Sequence, residues 1–564
     1  MEKKQQQRSR QTIPVAPLWW FLFLSPFAFG LFHEFMACAA SVFLCGYCVA
    51  ITVFQQRWII RSNWEGVAVL LLVSAYLATT FWAVDSGMAW LGFLQFFPLL
   101  PFWMIWMQLN AGQREKLFSS VPLSGIVMTL LSYPSKWIDV LEPYFFSAQR
   151  LGGFFQYSNT FALFLLLGIV VLAFEQHALW QRLIGIAVLL FGIFATGSRT
   201  VFFLLLIVIV VVCIRQKQLR WPLLGIAGVL TAASILFVVI TGNVQTLGRF
   251  LTTSLSSSTL LGRLLYYWDA LPVILRHPFG LGYLGYYYLQ PSFQTGAYIV
   301  KFIHNDYLQM LLDIGWIPAA AFFVALVRGF FSKRIGFQQR LLLVVISAHI
   351  LLDFDLQFLS VFFVLLMTLD SEAEKEKQFL IKPTIKHILC GASGLLAIVC
   401  VYFGCALFVA YRGDDRTAVE LYPQYTASQT VLLAKASSAQ EAERIADEIL
   451  AHNEQIPLAY DAKALASASH GDYPKMMEYK QKSISIARYT LAEYIDYFNL
   501  LRRAMENCIR QGDLQQAEVY RTAIKKLPAI LKSVAEQSSP LAWKLSDKPE
   551  LTLPERFMDY IDRL

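Results

Sequence analysis

Three side chains dominate the chemistry this sequence could do: Arg199 in "TGSRT" (196–200), Arg263 in "GRLLYYW" (262–268) and His304 in "HNDYLQ" (304–309). Two guanidinium groups can hold a pyrophosphate through bidentate, charge-assisted hydrogen bonds. An arginine stays charged and cannot act as a base. An imidazole, which ordinarily titrates near neutrality, can take a proton from an attacking hydroxyl. Further polar residues stand close to these in sequence pattern. Arg150 and Asn159 lie in "QRLGGFFQYSNTFA" (149–162), and Arg276 follows the Arg263 stretch. Asn305 and Asp306 adjoin His304, and Asp353 opens the acidic pair of "LLDFDLQF" (351–358). These six are expected to contact substrate, with Arg199, Arg263 and His304 as the reactive core. Gly280, Gly282 and Gly285 match G-x-G-x-x-G, but no strand precedes them and no βαβ unit surrounds them, so they read as a tight loop rather than a dinucleotide site. There is no Walker loop, no Ser-His-Asp order and no metal-ligand spacing among the carboxylates, histidines and cysteines. The expectation is a reaction without metal or other cofactor.

What must position these residues is a membrane. The chain has 564 residues, 57% of them hydrophobic and only 15% charged, well below the charged fraction of ordinary soluble domains. Runs such as "VFFLLLIVIVVVCI" (201–214) carry no charge. About 13 spans can be placed, near 15–32, 35–54, 66–84, 87–107, 117–133, 158–174, 183–197, 200–214, 222–241, 307–328, 340–353, 356–369 and 387–411. The basic tail 1–14 has no small-residue cleavage site, so it reads as a cytoplasmic tail and not as a signal peptide. With that tail inside, inner loops hold twenty Lys and Arg. Outer loops before the last span hold seven: Lys136, Arg150, Arg199, Arg249, Arg263, Arg276 and Lys301. That asymmetry satisfies the positive-inside rule and accounts for the net charge of +8 without a nucleic-acid partner. It also leaves the seven outer cations in need of another reason. Arg199 is the sharpest case. Its neighbours Arg182 and Arg215 leave helices of only about 22–24 Å on either side, short of the roughly 30 Å hydrocarbon layer. A cation drawn towards that layer is costly unless an anionic partner offsets it.

Residues 15–411 are therefore expected to form an all-α, polytopic helix bundle. Within it, 242–306 makes a large outer loop holding an amphipathic helix (259–271) that ends before Pro272. Residues 412–564 change to a polar, helix-forming text and, after an odd number of spans, lie outside. "GDYPKMMEY" (471–479) and "GDLQQAEVY" (512–520) echo one another, as in helix-turn-helix repeats of the tetratricopeptide type. This segment offers a surface for a protein partner. Cys38, Cys45, Cys48, Cys213, Cys390, Cys400 and Cys405 lie in apolar segments and only Cys508 in a polar one, which implies no disulfide framework.

An enzyme on the outer face has no ATP and needs a donor already activated. Here the motifs become familiar. "RLGGFFQYSN", "TGSRT" before an apolar span, "GRLLYYWDALPVILRHPFGLGYLGYY", "HNDYLQMLLDIGW" and "LLDFDLQ", in that order over 150–370, resemble the O-antigen ligase/O-antigen polymerase superfamily. The resemblance implies a glycosyltransferase of the bacterial cytoplasmic membrane. It would take glycan from undecaprenyl pyrophosphate at the outer face of the bilayer and pass it to a glycan, lipid or protein acceptor. Arg199, Arg263 and His304 match the family's functional arginines and histidine, and Asp353 its later acidic position. The thirteenth span and the outer helical segment depart from the family pattern. The motifs do not separate ligase, polymerase and protein O-oligosaccharyltransferase. A lipid-linked sugar flippase is the alternative from another class, and it would show internal transmembrane repeats, which this chain does not. A non-catalytic envelope scaffold acting through 412–564 would leave the three reactive residues without a role.

Overall fold

The computed structural model describes residues 13–225 except 55, 56 and 62, residues 228, 229 and 232, and residues 258–369, 376–380 and 382–564, and the described residues are 76% helical. The predicted span 222–241 falls mostly outside these residues. So do Arg249, most of the basic tail and the first part of the large loop. Among the described residues five helices are long and apolar enough to cross a membrane: Glu34–Phe54, Ser86–Gln108, Ala111–Trp137, Leu179–Thr196 and Pro383–Tyr411. Five shorter apolar helices accompany them, Ala16–Phe27, Trp64–Thr79, Ser158–Phe174, Trp316–Phe331 and Leu359–Thr368. The all-α expectation needs two small additions. Arg57–Arg61 pairs antiparallel with Glu376–Leu380, and Phe146–Ser147 with Arg150–Leu151.

Two helices form the centre of the bundle. Ser158–Phe174 is buried along almost its whole length, and every residue of Leu359–Thr368 is buried. Neither has a polar stripe, and a helix apolar on all sides belongs in a core. The periphery is different. Helix Arg199–Arg215 buries Val201, Leu205, Val208 and Val212 and leaves Phe203, Ile207, Val210 and Ile214 exposed at near-helical spacing. That outer stripe is the surface a bilayer covers. Pro383–Tyr411 packs along Glu34–Phe54 at the rim, with Cys400, Ala406 and Leu407 buried.

Three boundaries differ from the sequence reading. The amphipathic helix runs Ser258–Arg276, through Pro272 rather than stopping before it. Proline there frees the carbonyl of Trp268, whose residue is 70% exposed, so solvent or headgroups can satisfy it. The span expected over 307–328 is broken into Asp306–Ile314 and Trp316–Phe331. Gly315 sits at the break with φ +81°, where an added Cβ would lie 2.3 Å from the Pro278 carbonyl oxygen. Helix Phe337–His349 ends early, so Asp353 lies in the connection 350–358 between helices rather than in a span. The glycine loop is tight, as expected. Gly280 and Gly282 have φ near +80°, and Leu281 and Gly282 donate from their backbone to the Leu312 and Asp313 carbonyls.

Residues 412–564 fold as helices that pack largely as neighbouring pairs: Pro457–Ser469 with Tyr473–Ile486, and Leu491–Gln511 with Leu514–Gln537. The Gly-Asp echo has a physical meaning. Gly471 and Gly512 take left-handed φ at helix ends, and Asp472 and Asp513 cap the next helix by accepting from Lys475 and Gln516 backbone N–H. A third instance, Gly413-Asp414, caps Thr417 the same way. Gly ends one helix and Asp starts the next.

This segment is not tethered loosely. Asp85, buried before helix Ser86–Phe96, accepts from Thr426 at 2.5 Å and Asn453 at 2.8 Å. Ser539 donates its backbone N–H to the Thr295 carbonyl at 2.8 Å, and Ala542 and Leu545 pack on Leu265 and Tyr298. Residues 412–564 thus lie on the face of the molecule that carries the large loop.

Candidate functional site

The short hairpin Phe146–Leu151 delivers the first residue of the site. Its two-residue turn, Ala148-Gln149, has both residues at positive φ (+47° and +61°), a conformation that usually goes to Asn-Gly. Arg150 leaves this turn and donates from Nε to the Thr196 carbonyl (2.8 Å) and from a terminal nitrogen to Asn159 Oδ1 (2.6 Å). Asn159, in the first turn of central helix Ser158–Phe174, passes the contact on. Its Nδ2 donates to Asp353 Oδ2 at 2.7 Å.

Asp353 is the hub. Its carboxylate also accepts from Tyr157 Oη (2.7 Å) and the Phe354 backbone N–H (3.1 Å), lies 3.2 Å from His304 Nδ1, and faces an Arg263 nitrogen at 3.5 Å. The other terminal nitrogen of Arg263 donates to the Leu352 carbonyl. Only 2% of the Asp353 side chain is exposed. Burial pushes its pKa up, but the His304 hydrogen bond and the Arg263 charge outweigh that and hold it below the usual carboxylate range. Three distant segments (150–159, 263 and 304) converge on the Asp353 carboxylate.

His304 is placed with unusual care. Its φ is +57°, a left-handed setting that costs a non-glycine residue free energy and persists where neighbours over-determine it. Four contacts do so. Gln309 accepts the Ile303 N–H, Tyr267 Oη donates to the His304 carbonyl at 2.6 Å, Asn305 caps Leu308, and the Asp306 N–H donates to the Ile350 carbonyl. With Nδ1 turned to Asp353, Nε2 is the ring nitrogen left for chemistry. The imidazole is about a quarter exposed and packs edge-on against Phe354 at 5.0 Å. Asp353 is saturated with donors, so of the pair only His304 retains a free lone pair.

The other sequence-predicted residues fall into two groups. Asn305 and Asp306 do their work inside the protein. Asp306 is 1% exposed, and its carboxylate accepts the Leu356 N–H, which anchors the 350–358 connection. Arg276 stands at the far end of helix Ser258–Arg276, thirteen residues and therefore about 20 Å from Arg263. It is exposed and is not brought into the cluster. Arg199 begins helix Arg199–Arg215 directly after the Gly197 turn, beside Thr196, whose carbonyl Arg150 grips. Among the described residues it has no hydrogen-bond or ion-pair partner. Arg182, by contrast, is buried and caps the end of helix Ser158–Phe174 through the Leu172 and Ala173 carbonyls. Arg182 is used structurally, and Arg199 is left open.

Sequence reasoning missed Tyr157, Tyr267, Thr160 and His349. Behind the hub, His349 Nδ1 meets Asp355 Oδ2 at 2.5 Å and Thr160 donates to Asp355 Oδ1 at 2.6 Å, all buried. Asp353 and Asp355 straddle Phe354, one facing the cluster and one the core. The D-x-D spacing was visible, but its partners were not, because they come from elsewhere in the chain. Among the described residues no group of three or more His, Cys, Asp or Glu side chains is arranged to hold a metal ion.

Spanning-length apolar helices with a polar cluster at one end of the central pair are the construction of an integral membrane protein. Residues 184–324, about a quarter of the chain, match the O-antigen ligase family, so this stretch is similar to that family of glycosyl-transferring proteins. The match includes Arg199, Arg263 and His304, and stops short of Arg150, Asn159 and Asp353. No curated protein and no solved structure matches the chain.

Proposed function

We propose that this protein transfers or polymerises glycan from undecaprenyl pyrophosphate onto an acceptor hydroxyl at the outer face of the cytoplasmic membrane. The observation that carries the reading is the Asp353 hub, which fixes His304 by Nδ1 and gathers Arg263 beside it. Arg263 and the unpartnered Arg199 hold the pyrophosphate. The acceptor oxygen attacks the anomeric carbon while the bond from that carbon to the phosphate oxygen breaks. The electron pair leaves with lipid pyrophosphate, stabilised by the guanidinium charge, and the hydroxyl proton goes to His304 Nε2. Asp353 keeps the imidazole in the right tautomer and stabilises the imidazolium that forms, the logic of a carboxylate-histidine pair. Arg150, Asn159, Asn305 and Asp306 act here as positioning residues. The cluster needs no metal, because the arginines supply the positive charge.

The reading is tested by His304→Ala in proteoliposomes loaded with lipid-linked glycan. Turnover should fall by about 10²–10⁴-fold, the contribution of a positioned general base, with donor binding retained. Near-normal turnover in a folded variant would remove the base assignment. Deletion of the gene separates ligase from polymerase: glycan collapses to single repeats if the protein polymerises, and full-length chains stay on the carrier lipid if it ligates.

A further inference from the structure

A cavity lies near the hub, and nothing in the proposed reaction uses it. It has a volume of about 170 Å³ and is lined by His33, Glu34, Tyr411, Asp415, Tyr425 and Ser428 among others. Its walls come from both parts of the chain. His33 and Glu34 lie at the start of helix Glu34–Phe54 and Tyr411 at the end of Pro383–Tyr411. Asp415, Tyr425 and Ser428 belong to the segment beyond 412, which Asp85 clamps in place through Thr426.

The lining is rich in unused hydrogen-bonding groups. Glu34 Oε1 accepts from Tyr283 at 2.9 Å and faces Lys301 at 4.0 Å, and Asp415 Oδ2 faces Lys435 at 3.5 Å. Among the described residues the second oxygen of each carboxylate, the hydroxyls of Tyr411, Tyr425 and Ser428, and both ring nitrogens of His33 have no hydrogen-bond partner. Aromatic side chains, His33, Phe35, Tyr411 and Tyr425, complete the lining. His33 packs against Phe29, Phe32, Phe35 and Tyr411 with centroids 5.0–5.6 Å apart. Aromatic faces beside a few carboxylate and hydroxyl acceptors are what a pyranose needs, because its C–H face stacks and its hydroxyls donate. The volume suits one ring rather than a chain, being below the range of drug-sized pockets. Two carboxylates in the lining disfavour an acidic sugar.

The pocket is also well placed. Phe32, next to His33, stacks on Phe358 at 4.7 Å and reaches Phe302 and Phe354 at 6.0 and 6.4 Å. Phe354 in turn packs against His304. Two aromatic rings, Phe32 and Phe354, separate the pocket from the imidazole. We infer that the His33–Glu34–Tyr411–Asp415–Tyr425 cavity is a sugar subsite that binds a single non-acidic pyranose of the glycan, and that the segment beyond residue 412 supplies half of it. The source of that sugar, donor or acceptor glycan, rests on the glycosyl-transfer reading; the pocket's affinity for a pyranose does not.

The test is saturation-transfer NMR on the full chain in nanodiscs, with methyl hexopyranosides, methyl N-acetylhexosaminides and a methyl glucuronide as probes. The neutral glycosides should give signals and the glucuronide should not. Tyr411→Ala and Glu34→Gln should each weaken binding about five-fold or more, the scale of one lost contact. Ala427→Trp, which places a ring over the exposed side of the cavity without touching the core, should abolish it. His304→Ala and Arg263→Ala should keep the signal while losing transfer, so loss of one reading does not erase the other. Lipid-linked glycan extracted from producing cells will displace the probe if the pocket takes donor sugar, and will leave it bound if it takes acceptor. Signals equal in wild type and all three pocket variants, or absent for every neutral glycoside, would overturn the subsite.

Discussion

Asp353→Asn removes one charge from the hub and almost no volume. In the wild-type protein the carboxylate serves Tyr157, Asn159, the Phe354 N–H, His304 and Arg263 at 2.7–3.5 Å while 2% exposed. The amide has one oxygen where there were two, and its nitrogen faces groups that themselves donate. Arg263, 13% exposed, loses its counter-ion. Removing one partner of a buried pair costs about 3–5 kcal/mol, and lost hydrogen bonds to a charged acceptor cost about 1.5–3 kcal/mol each. Relaxation of Arg263 towards solvent and onto the Leu352 carbonyl brings the net loss of stability towards the lower figure. The catalytic effect is larger than the structural one. An amide nitrogen facing His304 favours the tautomer with Nδ1 as acceptor, which puts the proton on Nε2 and blocks it as a base. A wrong tautomer of this kind costs about 10⁴-fold in turnover. The assay is glycan transfer in proteoliposomes, followed as mobility of labelled lipid-linked glycan on gels, with thermal melting in the same preparation. The reasoning is refuted if Asp353→Asn folds and turns over within about ten-fold of wild type, since a ten-fold change is only about 1.4 kcal/mol.

Arg199→Ala and Arg263→Ala should each weaken donor binding by about 1.5–3 kcal/mol or more, and lysine should rescue poorly because it lacks the planar fork; donor titration checks both, and unaltered affinity would release the arginines from the pyrophosphate. Activity of purified protein should survive excess EDTA, and a loss restored by Mg²⁺ or Mn²⁺ would expose a metal site. Asp85→Ala should strand the buried Asn453 amide and the capped Met88 N–H, at about 1–3 kcal/mol each, and hydrogen exchange over 412–455 should rise relative to the bundle. Lys480, 1% exposed between Asp461 (2.6 Å) and Glu493, has its pKa raised: burial lowers it, but the two carboxylates outweigh that. Its stabilisation is therefore complete below the unfolded lysine value of about 10.4 and is lost as pH rises through the higher folded value. Melting temperature should drop in that alkaline window, and Lys480→Met should lose the alkaline drop.

Much of this protein is set by local sequence. Charge-free runs have one comfortable environment, so the bundle, its lipid-facing stripes and the charge asymmetry between loops can be read along the chain. Arg199 and His304 are conspicuous for the same reason: a cation or an imidazole beside an apolar run is costly unless used. Gly-Asp pairs announce their helix junctions because left-handed φ and N-capping are one-residue properties. Tertiary structure decided the rest. Asp353 became the hub, and Asp355 two residues away a buried anchor, only because a helix ends at His349 and turns the two carboxylates to opposite sides of Phe354. Asn159, held by Arg150, reaches that hub across about 200 residues of sequence, and Tyr157 on the carboxylate and Tyr267 on the His304 carbonyl joined the site with no motif of their own. Arg276 has the same residue type and the same helix as Arg263, yet stands outside the cluster because thirteen residues of α-helix carry it about 20 Å away. Local chemistry says which residues are expensive to place; only the packing of distant segments says which of them share a site.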